Sequence, residues 1–83
     1  MLNKGLVKTV ASVLERGMMA TFVSSNQVQV FGESFQFVVT FDNGLYTIEG
    51  VSFLTGMDIE VEPCNKESLA YVITLLLWGI SNG

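Results

Sequence analysis

The chain has 83 residues, four Lys or Arg against eight Asp or Glu, a net charge of -4, and no histidine. That length supports one domain around one core. The missing histidine removes the commonest metal ligand and general base, one cysteine rules out an internal disulfide and a thiolate zinc site, and an acidic balance argues against direct nucleic-acid binding.

Charged residues make up 14% of the chain and hydrophobic residues 49%, whereas globular chains typically carry about 25% charge. Part of the surface must then be apolar, which predicts a homo-oligomer, most simply a homodimer, or a standing protein partner. The absence of disulfides and of any secretory-type leader pattern predicts a cytoplasmic protein.

Residues 2–16 repeat apolar side chains at helical spacing. Leu6, Val7, Val10, Val13 and Leu14 form a stripe, with Lys4, Lys8, Ser12 and Glu15 opposite. Asn3 is placed to cap this helix, Gly5 weakens its first turn, and Gly17 is a natural stop. Three of the four cations, Lys4, Lys8 and Arg16, lie in this segment, leaving Lys66 against seven acids in the remainder.

From Met19 to Glu62 the pattern is β, and each turn predicts a register. Ser24-Ser25-Asn26 suits a three-residue loop with Asn26 left-handed, aligning Phe22 with Val28. Gly32-Glu33 suits a two-residue turn that sets Val30 against Phe35 and Val28 against Phe37. Asn43-Gly44 is the strongest hairpin signal, pairing Phe41 with Tyr46, Val39 with Ile48 and Phe37 with Gly50. A two-residue turn at Thr55-Gly56 sets Val51 against Glu60, Ser52 against Ile59 and Glu49 against Glu62. Directly opposed like charges are unfavourable, so a bulge at Gly50 or a compensating cation is expected there.

Pro63 ends the last strand and Asn65 reads as the cap of a second helix running to about Ile80, before a short tail of Ser81, Asn82 and Gly83. The apolar run from Leu69 to Ile80 is shorter than the roughly 20 residues that span a bilayer, so no membrane span is predicted. This helix is apolar nearly all round, so the face turned from the sheet must meet the first helix, another subunit or a partner. The expected architecture is a two-layer α+β domain over residues 1–83: an N-terminal helix, a five-stranded antiparallel meander and a C-terminal helix.

Three groups of residues are candidate sites. Asp58, Glu60 and Glu62 project from one side of a strand, spaced by roughly 6.6–6.8 Å, twice the strand rise, with Glu49 as a possible fourth member. Such a row protects an edge from edge-to-edge pairing, the first expectation. It also suits a basic partner surface, including one that reads phosphate spacing, or a hard cation such as calcium or magnesium, although no calcium-loop pattern is present. Phe31, Val38, Val51 and Phe53 point away from the core among Gln29, Gln36, Thr40 and Thr47, forming an interface or lying beneath a helix. Tyr71 and Trp78 belong to the second helix and are its candidate contacts if that helix packs inside an assembly.

Cys64 sits between a proline and a helix cap with no histidine to activate it, and reads as a packing residue. No cofactor or metal is expected. The function that follows is a small non-enzymatic interaction protein that regulates or inhibits a larger one, with phages and mobile elements as its source by analogy with other compact inhibitors. The alternative is a structural subunit that packs through its C-terminal helix.

Overall fold

The computed structural model describes residues 3–82, with side chains to residue 79; Leu2 and the side chain of Ile80 lie outside the described set. The first helix, α1, spans Lys4–Glu15, and Asn3 caps it as expected. The Asn3 Oδ1 accepts from Gly5 N at 2.9 Å and Leu6 N at 3.2 Å, satisfying N–H groups that a first helical turn leaves open. The helix ends on Gly17 at φ 78°, with Gly17 N donating to Leu14 O and Met18 N to Val13 O. This paired closure is the Schellman arrangement, which uses carbonyls that the helix would otherwise leave unpaired.

Five antiparallel strands follow: β1 (Met19–Ser24), β2 (Gln27–Phe31), β3 (Phe35–Asp42), β4 (Leu45–Ser52) and β5 (Asp58–Cys64). They lie in sequence order, and α2 (Lys66–Asn82) completes the predicted α-β5-α arrangement. Asn65 caps α2 by accepting from Ser68 N at 2.9 Å. The helix runs through the residues expected to form a tail, as far as Asn82.

Alternation decides what the sheet buries. Val28, Val30, Phe35, Phe37, Val39, Tyr46 and Ile48 share one face, and Leu6, Val13, Leu69, Ile73 and Leu77 from the two helices join them in a single core. Phe22, Ile59, Val61 and Cys64 extend this core toward the sheet edges. Both helices therefore cover the same face, with α1 against β1 and β2, and α2 against β4 and α1.

The Asn43-Gly44 turn is as predicted, with φ values of 52° and 80° and Phe41 opposite Tyr46, Val39 opposite Ile48 and Phe37 opposite Gly50. The other three turns differ in detail. Phe22 does pair with Val28, but Asn26 is not left-handed; the register shifts between Phe22 and Ser24, so Val23 takes up the extra residue. The next turn has Glu33 and Ser34 at its tip, closed by Gly32 N donating to Phe35 O at 3.0 Å. Val30 consequently faces Phe37, and Val28 faces Val39. Gly32 supplies space and not a positive φ, because a side chain there would strike the Phe35 ring.

The β4–β5 connection is also longer than expected. Ser52 N donates to Met57 O across a four-residue loop that contains Gly56 at φ 71°. Glu49 thus opposes Glu60, not Glu62, while Val51 opposes Asp58 and Gly50 opposes Ile59. The bulge lies between Tyr46 and Ile48, where Glu62 and Pro63 together oppose Thr47. Proline has no N–H for the ladder and favours such a place. Gly50 stays in register because any Cβ there would collide with the Gln36 carbonyl and the Phe37 backbone. In both hairpins the register is displaced by two residues, which preserves the face of each side chain up to the bulge at Glu62 and Pro63.

The buried stripe of α1 is also rotated from the expected one. Gly5, Leu6, Thr9 and Val13 face inward, whereas Val7 and Leu14 are 43% and 51% exposed. The Thr9 hydroxyl donates to Gly5 O at 2.9 Å, which makes its burial tolerable. The rotation follows from a joint with β4: the Tyr46 hydroxyl donates to the Asn3 oxygen that caps the helix. A methyl group on Gly5 would overlap that hydroxyl, so the residue that weakens the helix in isolation lets it dock.

This joint predicts energetic coupling. Tyr46→Phe and Asn3→Ala should each lower stability by about 1 kcal/mol, measured by urea unfolding. The double mutant should lose less than their sum, and strict additivity would show that the contact carries no stability.

Candidate functional site

The acidic row lies on β5, an edge strand paired only with β4. Ile59 and Val61 turn toward the core, and Asp58, Glu60 and Glu62 are exposed. Glu49, on the neighbouring interior strand, is also exposed and lies directly opposite Glu60. Glu49, Asp58 and Glu60, together with Gly50 and Val51, border a shallow depression at this edge of the sheet. Glu62 belongs to the bulge, so its carboxylate stands apart from the regular alternation of Asp58 and Glu60. Among the described residues, no group of three or more His, Cys, Asp or Glu is arranged to hold a metal ion.

The uncovered face also carries Phe31, Val38 and Val51, all half-buried among Gln29, Gln36, Thr40 and Thr47. Both helices pack on the other face, so neither lies over these side chains. Phe53 leaves the sheet at the β4–β5 loop and is 58% exposed, its N–H donating to Ser34 O at 2.8 Å. Phe53 and Phe31 are therefore not joined into one aromatic patch by the strand ladder: Phe31 is in β2 and Phe53 lies beyond β4.

Helix α2 has two opposed apolar stripes. Leu69, Ile73 and Leu77 enter the core, and Tyr71, Leu75 and Trp78 emerge on the opposite side at 58%, 54% and 62% exposure. The spacing of four and then three residues places the outer three on one line of the helix surface. Sequence inspection selects Tyr71 and Trp78 but passes over Leu75, which that same spacing would have identified. It also passes over Leu54 and Met57, whose loop was expected to be a tight turn. Leu54, Leu75, Leu76 and Gly79 line a groove of about 400 Å³ between α2 and this loop. No described helix is long and apolar enough to cross a membrane.

Cys64 lies at the end of β5, partly buried against the core, because the bulge turns it inward in place of Pro63. Burial pushes its thiol up from the usual value of 9.0, so the group is held in the neutral, weakly nucleophilic form at neutral pH.

Two measurements check these placements. Maleimide labelling of Cys64 should be slower in the folded chain than in urea at pH 7, and should accelerate as pH rises past 9; equal rates would contradict its burial. Glu60→Lys, by replacing a repulsive cross-strand pair with an attractive one, should stabilise the fold by a few tenths of a kcal/mol at low salt and less at high salt. A loss of stability would contradict the pairing with Glu49.

Comparison of this chain with protein-family models, with curated proteins and with solved structures finds no match.

Proposed function

We propose that this chain is a small non-enzymatic interaction module that regulates or inhibits a larger protein by presenting carboxylates to a basic surface. The observation that carries this reading is the position of Glu49. Protection of an edge needs charge only on the edge strand, and Asp58, Glu60 and Glu62 already supply it. Glu49 lies one strand further in and faces Glu60 directly. That pairing works against the fold and is relieved when a cationic surface binds across both strands. The β3–β4 and β4–β5 ladders fix the backbone positions from which these side chains project.

A structural role in a larger assembly is the second reading, favoured by the outer stripe of α2.

Affinity capture from the native host separates the two. Under the acidic-surface reading, a partner is captured at low salt and released as ionic strength rises. The triple variant Asp58→Lys, Glu60→Lys, Glu62→Lys should fail to capture it, with its far-UV circular dichroism unchanged. Retention of the same partner by this folded variant would refute the acidic-surface reading.

A further inference from the structure

Three observations converge on the outer side of α2. First, the apolar surface there is continuous with that of the β4–β5 loop, because Leu54 and Leu75 line the same groove. Leu54 and Met57 are 73% and 68% exposed, adding to the Tyr71–Leu75–Trp78 stripe. Second, this region carries no charge. No Asp, Glu, Lys or Arg occurs between Ser68 and Asn82, or between Gly50 and Met57.

Third, Gly79 has no intramolecular reason to be glycine among the described residues. It lies within α2, which continues to Asn82, its φ is not positive, and a Cβ added to it would meet nothing within 4 Å. Glycine is the poorest helix former after proline, so this position sacrifices helix stability to leave a notch in the wall of the groove. Gly5, Gly32 and Gly50, by contrast, each make room for a contact within the chain.

We infer that a second copy of this chain docks here, in a two-fold pair in which Trp78 of each copy enters the groove beside Gly79 of the other. A two-fold interface requires one patch to carry both a projection and its receptor, and this patch carries the exposed Trp78 next to the groove lined by Leu54, Leu75 and Gly79. Charge favours the same occupant. Each copy bears -4, so two copies meet at least cost through a patch that brings no like charges into contact. A basic or acidic partner would gain nothing from this surface.

The area is sufficient for a reversible pair. Two aromatic side chains of about 200 Å² each and three somewhat smaller aliphatic ones, all between half and three-quarters exposed, present on the order of 500 Å² per copy. A pair then buries about 1,000 Å², the lower bound for a specific interface. The pair deepens the proposed function without using the same residues: helix layers meet in the middle and both acidic sheet faces remain outermost, giving a bivalent acidic particle.

Sedimentation velocity and light scattering from micromolar to millimolar chain concentration test the pair. The wild type should show a concentration-dependent dimer and nothing larger. Trp78→Glu should remain monomeric throughout. Gly79→Ala is the decisive variant: the alanine should raise helicity and the thermal midpoint of the monomer, yet weaken dimerisation about tenfold because its methyl group fills the notch. A wild type that stays monomeric at millimolar concentration overturns the inference. So does an open-ended polymer, or dimerisation of wild-type strength in either variant. The Asp58, Glu60, Glu62 charge-reversed variant should still dimerise, so loss of partner capture and loss of pairing are read independently.

Discussion

The more apolar face of this five-stranded meander is buried, among the described residues, by α1 and α2. That constraint determines most of what the molecule presents to its surroundings. With both helices drawn to the face bearing Phe37, Val39 and Ile48, the other face is left open. The strand alternation that sends Ile59 and Val61 inward necessarily sends Asp58 and Glu60 outward. The carboxylate pattern is thus a by-product of core burial in its direction, though not in its composition. Threonine or glutamine at those positions would have served the sheet as well.

The joint between Asn3, Gly5 and Tyr46 sets where α1 sits on that face. One oxygen caps the helix and receives the tyrosine hydroxyl, coupling the orientation of α1 to the middle of the sheet. The outcome is asymmetric. The outward apolar side chains of α1, Val7 and Leu14, lie on one line of that helix flanked by the exposed charges Lys4, Lys8 and Glu15, whereas the outer line of α2 has no charged residue from Ser68 onward. The acidic sheet face and the uncharged outer line of α2 therefore belong to different layers of the domain. Two kinds of contact, one electrostatic and one apolar, can be made without competing for surface.

Much of this arrangement was legible in the residues because strand patterns are periodic in two. The centres of the Gly32-Glu33 and Thr55-Gly56 turns each lie one residue from their expected positions, which shifts the pairing register by two and leaves inward and outward sets unchanged up to the bulge. The core of the sheet survives both errors. The partner of Glu49 does not, since pairing across a ladder depends on absolute register, and so Glu60 stands where Glu62 was expected. The position of the turn, and in the β4–β5 hairpin also its length, was the hidden quantity. It is set here by Phe35 packing over Gly32 and by backbone hydrogen bonds from Ser52 to Met57 and from Phe53 to Ser34, none of which leaves a local sequence signal.

The sequence by itself determined the element order, both helix caps, the Asn43-Gly44 hairpin and the face of the strand residues outside the bulges. All of these follow from interactions within a few residues or from strict alternation. Tertiary structure alone decided that both helices share one face, that α1 is rotated to bury Thr9 in preference to Val7, and that the bulge falls at Pro63. It also decided that Leu54 meets Leu75 at the edge of a groove. These depend on which distant groups reach one another once the chain closes: Tyr46 with Asn3, the four-residue loop with α2. Long-range contact of that kind is fixed by packing in three dimensions and has no period along the chain.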